Sequence, residues 1–121
     1  MVTSNSYGTV TKSLSITATS GGASGNVLYT CPNNFDAEVT FLHITNGASS
    51  TDSVSVQWYH VEDTTYYTIL NAKQIAGNDT YDIIQGGNYF YMHSGDKIVA
   101  FNGGGTLNIT LSAKEYYNPI R

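Results

Sequence analysis

A chain of 121 residues with 40% hydrophobic residues predicts one folded domain and excludes a disordered segment. Only 12% of the residues are charged, about half the roughly 25% of an ordinary soluble domain, so we expect either a subunit that neighbours cover or a neutral, threonine-rich β surface. The net charge is −4 and the basic residues are too dispersed to form a patch for nucleic acid; they are Lys12, Lys73, Lys97, Lys114 and Arg121.

The chain begins with a polar segment and an edge strand. Residues 1–8 are polar with one aromatic, Tyr7, and we expect either a frayed end or an arm lying on another subunit. Residues 9–19 alternate between apolar and hydroxyl side chains, which predicts a half-buried strand. Lys12 interrupts the apolar side of this strand, as an inward-pointing lysine does at an exposed sheet edge. We therefore place the strand at an edge.

A loop, a short strand and a turn come next. Residues 20–26 are a loop by composition, and residues 27–31 predict a short strand. Pro32 ends that strand because proline lacks the N–H that a sheet ladder needs. We expect Phe35 to fold back over one end of the core.

Residues 37–46 are predicted to be the central strand, because both faces of the segment are apolar. We interpret His43 as a histidine at a rim with one hydrogen-bond partner rather than as a ligand. Four side chains should be buried at about 1.5–3 kcal/mol each, with Val39 and Phe41 facing one side and Leu42 and Ile44 facing the other.

A hairpin follows, formed by residues 53–61 and 66–70 across a short polar turn. We expect Trp58 to anchor the core and Tyr66 and Tyr67 to lie on opposite faces of the returning strand. Residues 71–77 are the one stretch that could hold a helical turn.

The C-terminal third predicts four further strands. We expect Ile75 to plug the end of the sandwich, and short strands at 80–84, 89–92 and 97–102. The last of these is apolar on both faces and is therefore predicted to be internal. Residues 103–105 are three glycines, which favour a hairpin tip. The final strand spans 106–115, with Leu107, Ile109, Leu111 and Ala113 inward.

These elements predict an all-β fold, a single antiparallel β-sandwich that is jelly-roll-like and has eight or nine short strands. We divide the chain into an N-terminal arm at 1–8, the sandwich at 9–115 and a C-terminal tail at 116–121. The tail carries enough apolar surface to dock on its own sandwich or on a neighbour.

The single cysteine, Cys31, cannot form an internal disulfide, and this favours assembly in a reducing cytoplasm. Residues 1–6 lack the basic start and apolar run of a signal peptide, and no stretch reaches the roughly 18 apolar residues of a membrane helix. We therefore expect neither secretion nor a membrane segment.

No pattern predicts an enzyme. A nucleophile needs a base beside it, and the sequence has no Gly-x-Ser-x-Gly elbow or local signature around Cys31, which we interpret as a small buried hydrophobe. Neither the histidines nor the acids have the spacing of a metal or catalytic site. We predict no catalytic, cofactor-binding or metal-binding residue; the candidates weighed are His43, His60, His93, Glu62, Asp63, Asp79, Asp82 and Asp96.

The aromatic residues allow one alternative, a carbohydrate-binding module. Several rings on one face could stack on sugars, whereas tyrosines also fill rims and interfaces because one end is apolar and the other polar. The rings in question are Trp58, Tyr59, Tyr66, Tyr67, Tyr89, Tyr91, Tyr116 and Tyr117.

Two stretches carry a family resemblance. The first is Leu-Tyr-Thr-Cys-Pro at 28–32, followed by a strand that ends in Ile-Thr-Asn-Gly at 44–47. The second is Gly-Gly at 86–87, followed by Ser-Gly-Asp-Lys-Ile at 94–98. Both resemble segments of small β-sandwich virion structural proteins of tailed bacteriophages. The resemblance spans about 27–111. It departs from the pattern at 31 and 33–34, where an aliphatic residue and an Ala-Gly turn are commoner.

The resemblance implies a virion component assembled in the host cytoplasm, most simply a capsid decoration (cement) protein that clamps capsomers through many repeated contacts. Its partners would be the major capsid protein or other virion proteins, and a symmetric homo-oligomer such as a trimer is expected. The alternatives are a tail, neck or adsorption component. Partner contacts are predicted at Val2, Tyr7, Tyr116, Tyr117, Pro119, Ile120 and Arg121.

Overall fold

The computed structural model describes residues 7–17 and 20–119, which form nine strands and one 3-10 turn at Gly22–Ser24. No helix in these two ranges is long or apolar enough to cross a membrane. The strands are β1 (Tyr7–Ile16), β2 (Asn26–Thr30), β3 (Phe35–Asn46), β4 (Asp52–His60), β5 (Thr65–Ile75), β6 (Asp79–Ile84), β7 (Phe90–Met92), β8 (Lys97–Asn102) and β9 (Leu107–Tyr117).

The strands pair in a nested order. β4 pairs with β5, β3 with β6 and β7, β2 with β8, and β1 with β9, always antiparallel. The first sheet runs β1-β9-β3-β6, with β7 also on β3, and the second sheet runs β2-β8-β4-β5. This is the order obtained by rolling up one long hairpin, as in a jelly roll. The predicted all-β sandwich is confirmed.

The core lies between the two sheets and follows the alternation of the strands. Leu107, Ile109, Leu111 and Ala113 of β9 are all fully buried, as predicted, and Ile98 of β8 meets them from the other sheet layer. β8 lies between β2 and β4, so the prediction of an internal strand is also confirmed. Burial of one side of each strand accounts for the period of two in the sequence.

β3 is central, since it pairs with β9 along one side and with β6 and β7 along the other. The prediction that Phe41 is buried is wrong. The register with β9 shifts between Val39 and Phe41, so a bulge at Thr40 changes the phase of the alternation. Val39 and Leu42 are therefore both fully buried, whereas Phe41 is 36% exposed on the outer face.

Residues 71–77 do not form a helical turn, and this prediction is wrong. β5 continues through them to Ile75, which is buried as expected. The segment bulges instead: Ala72 has a φ of +50°, and its N–H donates to Ser55 Oγ at 2.8 Å. That hydrogen bond replaces a ladder bond and lets the strand resume pairing at Lys73.

The three glycines at 103–105 connect the two sheets and are not a hairpin tip, because β8 belongs to the second sheet and β9 to the first. The Asp52 carboxylate holds this crossover, accepting from the N–H groups of Gly104 and Gly105 at 3.2 and 3.1 Å. A Cβ on Gly103 would lie 2.8 Å from Ser53 Oγ and 3.0 Å from Asp52 Oδ1, so a side chain there would displace these two groups.

The edge position predicted for β1 is confirmed, since β1 pairs with β9 alone. The exposed Lys12 lies opposite Leu111 on this edge strand. β1 begins at Tyr7 and β9 ends at Tyr117, so both strands extend past the ends expected from the pattern.

Candidate interaction surface

The outer face of the second sheet is partly covered by the chain's own loop, over Gln57, Val99 and Phe101. Residues 20–25 fold across it, and Gly22 N–H donates to Gln57 Oε1 at 2.8 Å. Val99 is only 1% exposed although it is not part of the central core. A Cβ on Gly21 would lie 2.5 Å from the Phe101 ring, and a Cβ on Gly25 would lie 2.4 Å from Val99 Cγ1. The two glycines thus allow the loop to lie flat on the sheet.

The outer face of the first sheet carries rows of hydroxyl and amide side chains. Hydrogen bonds join β1 to β9 across this face, so the polar groups of these two strands satisfy one another laterally. The exposed Lys114 follows these rows on β9, opposite Thr9 of β1 and Glu38 of β3. The bonded pairs are Thr11 with Ser112 at 3.1 Å, Ser13 with Thr110 at 3.0 Å, and Ser15 with Asn108 at 2.7 Å.

The same rows continue onto β3 and β6. Phe41 lies beside Ser112 and His43 beside Thr110 in the register of β3 with β9. The Phe41 and His43 rings stack at 5.6 Å with 12° between their planes, and His43 Nδ1 contacts the Asp82 carboxylate. His43 thus has a hydrogen-bond partner, as interpreted, but it lies on the outer face of the central strand β3 and not at a rim. We call the outer side chains Thr11, Ser13, Ser15, Phe41, His43, Asn108, Thr110 and Ser112 the hydroxyl face.

Part of the predicted C-terminal tail belongs to β9. Tyr116 lies opposite Tyr7 of β1 and opposite Asp36 of β3, so it extends the first sheet by one more row. Tyr117 is 37% exposed, and its ring meets the Phe35 ring edge-on at 5.6 Å. Phe35 packs against the core from this end, as expected.

The remaining predicted contact residues divide into two groups. Pro119 is exposed at the end of the described chain, next to Asn118, whose N–H donates to the Asn34 carbonyl at 2.6 Å. Val2, Ile120 and Arg121 lie outside the described residues, as does the side chain of Tyr7. Partner binding by these residues stays a prediction.

Asp36 fastens this end of the first sheet. The residue is 5% exposed, and its side chain accepts from Asn118 Nδ2 at 2.7 Å and from the Tyr91 hydroxyl at 3.1 Å. His93 Nδ1 lies 3.1 Å from Asp36 Oδ1. Burial acts to raise the pKa of Asp36, and the hydrogen bonds outweigh it, so the pKa lies below its ordinary value. The carboxylate therefore joins β3, β7 and the residue after β9.

The groups that could do chemistry are held in structural contacts. Cys31 is 1% exposed and donates from Sγ to the Phe35 carbonyl at 3.3 Å, and burial raises the pKa of its thiol to about 12. So little thiolate forms near neutral pH that Cys31 is a poor nucleophile. Within 7–17 and 20–119, no three His, Cys, Asp or Glu side chains group as a metal site. The histidine pairs lie apart: His43 with Asp82, His60 with Glu62 and Asp63, and His93 with Asp36.

The aromatic pairs of the second sheet do not lie flat. Trp58 packs against the core and meets Tyr67 at 5.4 Å with 31° between the rings, whereas Tyr59 and Tyr66 meet at 4.6 Å with 43°. Tyr66 and Tyr67 thus have different neighbours, as expected for opposite faces. Neither of these two pairs is coplanar, and the exposed Tyr89 and Tyr91 belong to neither pair.

Two features of the site were not predicted from the sequence. Phe41 was assigned to the core because nothing in the residues around Thr40 marks a bulge. The sequence predicts separate turns at 32–34, 62–65 and 93–96, and only the nested topology brings these connections together at one end.

Comparisons with known proteins show the fold and no family. No family model matches the sequence, and no curated protein matches it. Among solved structures, the chain is similar to a chain in the structure of the infectious bursal disease virus Gx strain (TM-score 0.60, 8% identity, covering 97% of this chain and 33% of that chain). It is also similar to the VP2 subviral particle of infectious bursal disease virus (TM-score 0.57, 8% identity, 95% and 33%).

A third similar structure is that of Bacillus endospore appendages, described as disulfide-linked pili (TM-score 0.48, 12% identity, 94% of this chain and 89% of that chain). The chain spans about a third of the length of the two viral chains. At 8% identity the viral likeness establishes a shared β-sandwich architecture, and function must be argued from the surface.

Proposed function

We propose that this chain is a non-enzymatic structural subunit of a virus particle, and more specifically a decoration protein on the capsid of a tailed phage. The observation that carries the proposal is the hydroxyl face. Its rows on β1 and β9 are hydroxyl and amide side chains that are mostly open to solvent, while the loop at 20–25 lies over part of the outer face of the opposite sheet. A sheet face of mutually bonded hydroxyl and amide side chains, with one partly exposed aromatic ring at Phe41, is suited to contact with other subunits.

The fold supports a role in particles. The two viral structures with the same architecture are a virus strain and a subviral particle, so this sandwich is found in assembled shells. The low fraction of charged residues supports the same role, because few charges oppose association. The carboxylates Asp36, Asp52 and Asp96 are engaged in holding strands and loops, which fits a structural rather than a catalytic protein.

The contact between the hydroxyl face and a neighbouring subunit would be mostly polar, with one apolar side chain. Neighbouring protein would cover the rows of Thr, Ser and Asn, and the half-exposed Phe41 would be the apolar anchor. Tyr116 continues the same sheet toward the chain termini. The predicted contacts of Tyr117, Pro119, Val2, Ile120 and Arg121 would add to the contact area there. Weak contacts repeated over a shell give strong overall attachment.

The experiment places a charge on this face. Thr110→Lys puts an ammonium group at the middle of the hydroxyl face, and Thr68→Lys puts the same group on the exposed edge strand β5. Binding to assembled particles is measured by co-sedimentation, and the oligomeric state is measured by sedimentation velocity. We expect Thr110→Lys to weaken association by about tenfold or more, since an unpaired charge at a contact costs over about 1.4 kcal/mol.

Thr68→Lys should bind as the unchanged protein does. A chain that stays monomeric at all concentrations and does not sediment with particles contradicts the proposal. Attachment to tails or necks instead of shells would keep the structural role and replace the decoration role.

A further inference from the structure

A polar hollow lies at one end of the sandwich, outside the hydroxyl face. Three connections meet there, at residues 31–34 between β2 and β3, 61–64 between β4 and β5, and 93–96 between β7 and β8. Both sheets therefore contribute to its walls. The hollow has a volume of about 220 Å³ and is lined by Asn33, Asn34, Val61, Glu62 and Ser94.

One fully buried carboxylate fixes the walls of this hollow. Asp96 is 0% exposed, and it accepts from Trp58 Nε1 at 3.1 Å, from Val61 N–H at 3.0 Å and from His93 N–H at 3.1 Å. The indole belongs to β4, and the two backbone donors belong to two different connections. A single side chain thus holds the β4–β5 turn against the β7–β8 turn.

The third connection is fastened by backbone and hydroxyl contacts. Cys31 N–H donates to the Asp96 carbonyl at 2.8 Å, and Gly95 N–H donates back to the Cys31 carbonyl at 3.0 Å. Ser94 Oγ accepts from Asn34 N–H at 3.2 Å and donates to Asn33 Oδ1 at 3.3 Å. The hollow is therefore formed before any ligand arrives, which lowers the ordering cost of binding.

The backbone at the hollow adopts conformations that few residues favour. Asn34 has a φ of +69° and Gly95 a φ of +88°, both in the left-handed region. A Cβ on Gly95 would lie 3.3 Å from Val61 Cγ1, so the two turns are packed as closely as glycine allows. Glycine and asparagine are the residues that adopt this region most readily, so the two positions suit the tight turns that wall the hollow.

The lining has the chemistry of a site for vicinal hydroxyl groups. The side-chain amides of Asn33 and Asn34 can each donate and accept, and Glu62 accepts. Ser94 Oγ gives its proton to Asn33 Oδ1 and so offers a ligand only an acceptor. Val61 offers an apolar wall for the C–H side of a sugar ring. No lining residue is basic, which opposes phosphate or sulfate. We propose that this hollow binds a single ring of a neutral glycan. The site goes beyond the assembly role and does not depend on it.

The test uses the isolated full-length chain and neutral monosaccharides as probes, namely glucose, galactose, mannose and N-acetylglucosamine. Binding is followed by saturation-transfer NMR and by amide chemical shifts of the ¹⁵N-labelled protein. We expect one of these sugars to bind with a Kd of about 0.1–10 mM, and to shift the amides of Asn33, Asn34 and Ser94.

Matched variants locate the site. Asn33→Ala should weaken binding by at least about fivefold, because one amide contributes about one hydrogen bond. Asn88→Ala changes an exposed asparagine in another turn and should leave binding unchanged. Melting temperatures show whether each variant remains folded.

Glu62→Gln separates a sugar from a cationic ligand. A sugar should tolerate the amide with only a modest loss, whereas a basic side chain of a partner protein would lose its counter-charge. The proposal is overturned if none of the four sugars binds, or if Asn33→Ala binds as well as Asn88→Ala. It is also overturned if N-acetyl-arginine amide binds instead, with that binding abolished by Glu62→Gln.

Discussion

Replacing Asp96 should remove more stability than replacing any exposed acid. In Asp96→Ala, three donors lose a charged acceptor: the Trp58 indole and the N–H groups of Val61 and His93. Hydrogen bonds to charged groups contribute roughly 1.5–3 kcal/mol each, and water can reach some of the freed donors at this end of the sandwich. We therefore expect a loss of about 3–5 kcal/mol in the free energy of unfolding. This is a large part of the roughly 5–15 kcal/mol that holds a domain together.

The assay is urea denaturation followed by fluorescence and by circular dichroism. Trp58 is the only tryptophan in the chain, and its indole is one of the three donors, so its emission should shift in the native variant as well. Asp79→Ala is the matched control, because Asp79 is exposed and accepts only a local bond from Thr80 N–H at 2.9 Å. It should cost less than about 1 kcal/mol.

Equal unfolding midpoints for Asp96→Ala and Asp79→Ala would refute this reasoning. They would mean that the buried carboxylate does not tie the loops together. The walls of the polar hollow would then lack their main support.

Three further outcomes are expected. The pKa of Asp36 is depressed in the folded chain, so the carboxylate stabilises the fold fully above its unfolded pKa of about 3.9. This stabilisation is lost as the pH falls through the folded pKa. The free energy of unfolding of Asp36→Asn should therefore depend less on pH below about 4 than that of the unchanged protein. Cys31 should resist iodoacetamide at pH 8 in the native protein and react in urea, as read by mass spectrometry; rapid native labelling would show that the thiol is not buried. Because Phe41 is partly exposed and Leu42 is buried, Phe41→Ser should lower the free energy of unfolding by less than about 1 kcal/mol and Leu42→Ala by about 2–5 kcal/mol. The reverse order in urea denaturation would show that Phe41 is a core residue.

The strands could be predicted because burial of one face imposes a period of two on the sequence. β9 shows this plainly, since Leu107, Ile109, Leu111 and Ala113 are buried while Asn108 and Lys114 are exposed. The errors occur where the backbone departs from that period. The bulge at Thr40 and the bulge near Ala72 each insert residues without a glycine or proline to mark them.

The site was predictable only in part, because it depends on which strands are neighbours. The outward Thr and Ser residues of β1 and β9 could be predicted from alternation. Their bonding into the hydroxyl face could not, since it needs the pairing of residue 11 with residue 112, far apart in the chain. The same holds for the polar hollow, whose lining comes from three separate connections. Phe41 could not be assigned to the hydroxyl face without knowing the register of β3.

The image of the assembled particle is the most direct test of the role in assembly. If the chain is a shell subunit, density for a neighbouring protein should cover the hydroxyl face, with Phe41 in contact, and the loop at 20–25 should face solvent. Finding the hydroxyl face bare on the outside of the particle, or finding no copy of the chain on the particle, would contradict the proposed role.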